Sequence, residues 1–443
     1  LLEKFDASAG KSDLDFQEKV SFLGHFAMNL HRIGKNSLSR SAFEEIIEDY
    51  YAGLGEDKPA KNTFEDFFRK AILIEYGGNV SFKFKFLFNF FLAKSMARSQ
   101  AVFQEVIGRK DYLRYSTALA YKAGLLRNDG ALLEEIRARL VASGNEIGAD
   151  KLEIDSSEIS IGDELTRFSG RIEDEIRSKS SSKDVDENHQ HDISLTEPAE
   201  EDDDDDLNED HFIQLLTLHS DIIRHTTELP EQAKIENIQI NVRAYLGLVV
   251  LVNREVIQMV EILNANDLVK MLFPGQDETK NKRRIDAILS QGKRMVWRVV
   301  PTSIALHMAD HLGTSRLCRA FLTAAETDRV AGLEKAYYLL LAYRANPERA
   351  RGDLQLFLKN ESGVLEDSIS HAFIRIICQE TVLDAAALER TVEVLAQIGE
   401  KYSKKQKLKE RDFVRCSDHR QELRQRLRLD QLRSQPGSKR DEQ

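Results

Sequence analysis

The chain has 443 residues, long enough for two or three domains with cores of their own. Glycine (23) and proline (7) are scarce while Leu, Ala, Glu, Lys and Arg abound, which favours helices and argues against a sandwich or barrel. Charged residues make up 31% and the net charge is -11, as expected of a soluble protein, and that charge is unevenly placed along the chain.

Cys318, Cys378 and Cys416 lie far apart, with no CxxC and no His/Cys cluster. That spacing fits a reducing cytoplasm and argues against a disulfide framework or a structural zinc site. The longest apolar run, around 245–252, falls well short of the roughly 18 residues of a membrane span. No basic region followed by an apolar core opens the chain, so a cytoplasmic protein with no membrane partner is expected. The chain begins with Leu1 rather than Met, so a longer parent protein is expected.

Apolar residues Phe16, Val20, Leu23, Phe26, Ala27 and Leu30 recur at helical spacing and predict a helix over 14–30. Leu38 opens a short link, and helices are expected over 39–52 and 63–70. Residues 71–76 read as a strand, Gly77-Gly78-Asn79 as a tight turn, and 80–84 as the hairpin partner. Three helices followed by a hairpin is the winged-helix order. Helices are then expected over 86–97, 102–107, 112–126 and 131–142.

Residues 143–210 hold few large apolar side chains and the acidic block Glu200–Asp206, so they cannot offset their ordering entropy and should form a disordered linker. A short helix over 163–179 could survive in it. Helical patterns return over 211–228, 234–263, 265–271, 280–297, 300–312, 315–328, 333–344, 347–358, 365–379, 385–402 and 404–429. The expected fold class is therefore mainly α: a winged-helix domain with a small β-hairpin over 1–97, a helical extension over 98–142, the acidic linker, an α-helical bundle or solenoid over 211–429, and a disordered tail over 430–443.

Residues 14–97 resemble the winged-helix domain of bacterial STAND NTPases, the NACHT/AP-ATPase-like signalling ATPases. The resemblance rests on a strand that runs straight into a helix, where the family reads Phe-x-His-x-x-Phe-x-Glu-Tyr-Phe-x-Ala. Phe82, Phe90, Phe91 and Ala93 fall on its Phe, Tyr, Phe and Ala, whereas Phe84 stands in place of the His and Asn89 in place of the Glu. The Tyr121–Leu125 stretch is similar to a turn in such proteins. The resemblance implies autoinhibition by the winged helix and trigger-dependent oligomerisation, in defence or signalling. It also implies a P-loop domain before the winged helix that binds ATP or ADP with Mg, so no cofactor and no catalytic residue is assigned to this chain. Gly10-Lys11-Ser12 ends like a P-loop, but Phe5 occupies the position of its first glycine and no strand precedes it.

Phe82, Phe84, Phe86, Phe90 and Phe91 are the candidate packing residues of the wing and hinge, and such a cluster needs a covering surface. Lys83 and Lys85 beside them leave a nucleic-acid-binding regulator as a further reading. A basic surface is read at Lys404, Lys405, Arg411, Arg424 and Arg426, against the plain reading of a charged final helix. His307 and His311 lie at i, i+4 as zinc ligands do, or simply at a solvated helix end. His189 and His191 belong to the linker, and its Asp202–Asp206 tract reads as a solvated spacer. The expected partners are the protein's own NTPase domain, a protein trigger on the helical region and a second copy of the chain. The alternative is a standalone helical interaction scaffold.

Overall fold

A computed structural model describes residues 16–55, 62–147, 209–262, 300–301, 303–327 and 332–360. The fold is mainly α with one small antiparallel sheet, and the chain divides into two compact units.

The first unit comprises residues 1–132 with the segments 176–206 and 225–228. Its described elements run α1 (Phe16–Ile33), β1 (Ser37–Ser39), α2 (Arg40–Leu54), α3 (Asn62–Arg69), β2 (Leu73–Tyr76), β3 (Asn79–Phe82), α4 (Lys85–Arg98) and α5 (Gln100–Ile107). A 3-10 turn (Tyr112–Tyr115) and α6 (Ser116–Leu126) follow, and α7 (Gly130–Glu146) begins in this unit.

The sheet order is β1-β3-β2, both pairs antiparallel, so β3 is central: Leu38 and Glu75 both face Val80 across it. Leu38, expected as a link, is thus the middle of a strand. Its three-residue run gains its conformation from pairing with β3 rather than from propensity. The Ser39 hydroxyl then caps α2 by accepting the Ala42 N–H at 3.2 Å.

Aromatic residues at helical spacing build the core. The buried Phe22 ring lies 4.8–5.9 Å, centroid to centroid, from Phe43, Tyr50, Phe64 and Phe67. Such pairs contribute about 0.5–1.5 kcal/mol each beyond their buried area. Asp66 on α3 is buried and ties that helix to α1 through Lys19 (3.5 Å), while Lys70 (3.0 Å), one turn further along the chain, pairs with the same carboxylate. Burial pushes its carboxyl up, but the bonds from Arg69 and Lys70 outweigh burial and hold it below the usual range.

The second unit comprises 133–175, 207–224 and 229–443. Its described helices include most of α7, α8 (Glu209–His225, through Arg224), α9 (Glu231–Ile262) and residues 303–312 (α10). A 3-10 turn (Ser315–Leu317) leads into α11 (Cys318–Ala325), α12 (Gly332–Ala345) and α13 (Pro347–Asn360). Tyr245, Phe321, Tyr337, Tyr338 and Tyr343 are fully buried core side chains. The Tyr337 hydroxyl donates to the Pro301 carbonyl at 2.8 Å, and Tyr338 to Glu334 at 2.7 Å, so their polar ends are satisfied.

Between α8 and α9 runs a buried polar chain. Asn241 donates to His219 Nδ1 at 3.0 Å, leaving Nε2–H to face Asn237 Oδ1 at 3.3 Å. Ser220 bridges Asn241 and the Tyr245 hydroxyl. Burial pushes the His219 imidazole down to about 4. Such a network has one good register, so it fixes how α8 lies on α9.

Among the described residues, the stretch Glu231–Val252 of α9 is long and apolar enough to cross a membrane, contrary to the expectation from apolar runs. Its most apolar window is 61% buried inside the protein, and Asn237 and Asn241 lie in it with partners. Those are features of a core helix.

α7 runs through Glu146 and α8 begins at Glu209, so described helices enter both ends of the expected linker. The helices expected over 163–179, 265–271, 280–297, 365–379, 385–402 and 404–429 lie outside the described residues, as do 430–443.

Candidate functional site

The hairpin and the helix after it place most of the predicted site residues. Gly77 (φ +58) and Gly78 (φ +76) both adopt the left-handed conformation that a two-residue hairpin turn requires at its two central positions. The Lys83 N–H bonds the Ile72 carbonyl at 2.9 Å, holding the end of the hairpin to the residue before β2. Phe84 is extended and caps α4 without a side-chain bond.

The aromatic cluster divides at this junction. Phe82 is buried, 5.7 Å from the Phe91 ring and 5.3 Å from Phe26. Phe91 is fully buried and Phe90 half-buried. Phe84 and Phe86, in contrast, are 44% and 54% exposed and stack on each other at 5.5 Å with planes 15° apart. The reason is geometric. Residues 84 and 86 precede or open α4, where the chain turns away from the core, whereas 91 lies one and a half turns further along on the inner face. Lys83 sits 5.2 Å from the Phe84 centroid, a cation–π contact.

The surface of α2, α3 and β2 is acidic. Arg40 is bound by Glu44 (3.4 Å), Glu65 (2.7 Å) and Glu75 (3.2 Å), so one guanidinium answers three carboxylates.

In the second unit, His307 and His311 do not project from a solvated helix end. His307 lies 3.2 Å from the Thr217 hydroxyl and His311 Nδ1 lies 2.8 Å from Asp221, so both reach across to α8. Among the described residues no three His, Cys, Asp or Glu side chains gather as a metal set. Cys318 is buried with its thiol toward the Ala342 carbonyl, and burial pushes that thiol up. Lys404, Lys405, Arg411, Arg424 and Arg426 lie outside the described residues, as do Cys378, Cys416, His189, His191, Asp202–Asp206 and Gly10-Lys11-Ser12.

Sequence reasoning missed a cleft lined by α1, α4 and the start of α5. It brings Ser21, His25, Arg32, Lys94, Arg98 and Ser99 together around a volume of about 230 Å³. No local motif marks it, because its residues come from two stretches about 60 positions apart.

Residues 36–92 match the family model of Novel STAND NTPase 4 (nSTAND_NTPase4). The match links this part of the chain to the STAND NTPases, and it spans β1 to the first half of α4. No curated protein and no solved structure matches the chain.

Proposed function

We propose that these residues form the regulatory, partner-sensing portion of a STAND-type signalling ATPase. The observation that carries this reading is the STAND family match over the unit from β1 to α4. The element order helix, strand, helix, helix, hairpin, with β1 paired onto β3, supports a winged-helix domain. ATP or ADP with Mg would be held by a P-loop domain N-terminal to it, and no residue of this chain is assigned a catalytic role.

The winged helix restrains the ATPase by resting against that domain. The exposed Phe84–Phe86 pair is the apolar contact such docking needs. The helical region from Glu209 onward receives a protein trigger, releases the restraint and permits assembly of copies, in defence or another signalling role. The acidic surface around Arg40 disfavours phosphate contacts, so nucleic acid is not assigned as a partner.

The test is ATP turnover by the full-length gene product carrying Phe84→Ala and Phe86→Ala. Loss of the docking contact is expected to raise basal turnover about tenfold, the equivalent of about 1.4 kcal/mol in the restrained-to-free equilibrium. Unchanged turnover in a folded variant contradicts docking through this pair.

A further inference from the structure

Helices α1 and α4 approach closely at Gly24. A Cβ there would lie 2.5 Å from Ser95 Oγ and 3.5 Å from the Phe91 carbonyl oxygen, so a side chain at that position would make the Ser95 hydroxyl turn aside. Beside this crossing the two helices and the start of α5 frame the 230 Å³ cleft. Val20 and Met28 are buried in its wall, which lowers the local dielectric.

Three cations line the cleft, and their partners differ. Arg32 is held by Glu105 through two bonds of 2.8 and 3.0 Å and is therefore neutralised. Arg98 donates only to neutral oxygens, Ser21 Oγ and Gln17 Oε1, which fix its guanidinium without cancelling its charge. Lys94 lies 5.7 Å from the Phe90 ring centroid. Among the described residues neither Lys94 nor Arg98 has a carboxylate partner. Among the described residues, then, two positive charges on adjacent turns of one helix, Lys94 half-buried and Arg98 exposed, stand without a carboxylate at the edge of a recess that also offers the hydroxyls of Ser21, Ser95 and Ser99. Ser99 caps α5, so the positive end of that helix dipole adds to them. Burial, with Arg32 adding to it and Asp49 opposing, keeps His25 below its ordinary value.

We propose that this cleft binds a small, soluble phosphate-class oxyanion. A dianion matches two cations that lack a carboxylate partner among the described residues, and the planar guanidinium with flanking hydroxyls suits tetrahedral oxygens. The volume lies below the roughly 300 Å³ at which drug-sized ligands begin, so the bound group is small. The site is independent of the Phe84–Phe86 pair and of the ATPase reading.

The experiment titrates inorganic phosphate and pyrophosphate into the 443-residue chain by calorimetry in chloride buffer, beside sedimentation with phosphatidate vesicles. One saturable site is expected, weakened about tenfold or more by Lys94→Gln and by Arg98→Gln, and unchanged by Lys85→Gln at the opposite end of α4. Circular dichroism checks each variant. If Arg98→Gln loses its tether to α1 and unfolds, Lys94→Gln alone carries the comparison. Absence of saturable binding up to about 10 mM, or an equal loss with Lys85→Gln, overturns the proposal. Retention on vesicles without saturable phosphate binding overturns it too, since the ligand would then be a lipid headgroup.

Discussion

Lys122 and Asp129 offer the sharpest test of how the first unit is held together. Both are charged, yet only 3% and 7% exposed, and they bond directly to each other. Lys122 sits on α6, 4.1 Å from the Phe103 ring centroid, while Asp129 Oδ1 accepts the Leu132 N–H at 3.2 Å and so caps α7. The pair therefore joins α6, α5 and the start of α7. Asp129→Asn preserves the shape and the cap but strands a buried ammonium, so it is expected to cost about 3–5 kcal/mol. Asp129→Ala should cost about 1 kcal/mol more by removing the cap as well. The double variant Lys122→Met/Asp129→Asn should recover to within about 1 kcal/mol of the parent, because the charges leave together. Urea unfolding gives these values where it is two-state, and hydrogen exchange of the α6 amides gives them locally where it is not. A loss under about 1 kcal/mol for Asp129→Asn, or losses that simply add in the double variant, would refute the reasoning.

Gly24→Ala should change the stability of the first unit by no more than about 1 kcal/mol, because the atom its Cβ would meet at 2.5 Å is Ser95 Oγ, a side-chain end that can turn aside, and alanine favours the helix over glycine. With Ser95→Ala added, the melting temperature should equal or exceed the parent's, the next nearest atom being the Phe91 carbonyl oxygen at 3.5 Å, and a drop would contradict this. His31 is 1% exposed, with neither ring nitrogen hydrogen-bonded among the described residues and Tyr115 against its ring. Burial, then the Arg109 charge, lowers it from 6.5 to about 4. Its unfolded form thus takes up a proton first as pH falls. Stability is full above about pH 6.5 and is lost toward pH 4, with a slope approaching about 1.4 kcal/mol per pH unit. His31→Phe should flatten that slope for the first unit in melts at stepped pH, and an unchanged slope would contradict it.

Much of the fold was legible because its signals are local. Gly77-Gly78 names a turn that needs two positive φ values, and the apolar stripe from Val20 to Leu30 names the inner face of α1. β1 was not, since a single apolar residue between two serines becomes a strand only when β3 lies beside it. The phenylalanine run was visible, but its division into buried Phe82 and Phe91 and exposed Phe84 and Phe86 depends on where α4 turns onto the core. The α1–α4 cleft has no sequence signal of its own. Arg98 reads as an ordinary basic residue in a last helical turn, and Gly24 as a helix weakness, until the crossing puts Ser95 against one and Ser21 against the other. Lys122 did carry a signal: a lone cation in the apolar run Ala118–Leu126 implies a buried partner.

The proposed role rests on a nucleotide-hydrolysing domain encoded ahead of this sequence. The reading frame upstream of Leu1 tests it most directly. The account predicts, in the same reading frame ahead of Leu1, an apolar strand followed by GxxxxGK[ST] and a helix. A start codon immediately before Leu1 would contradict it.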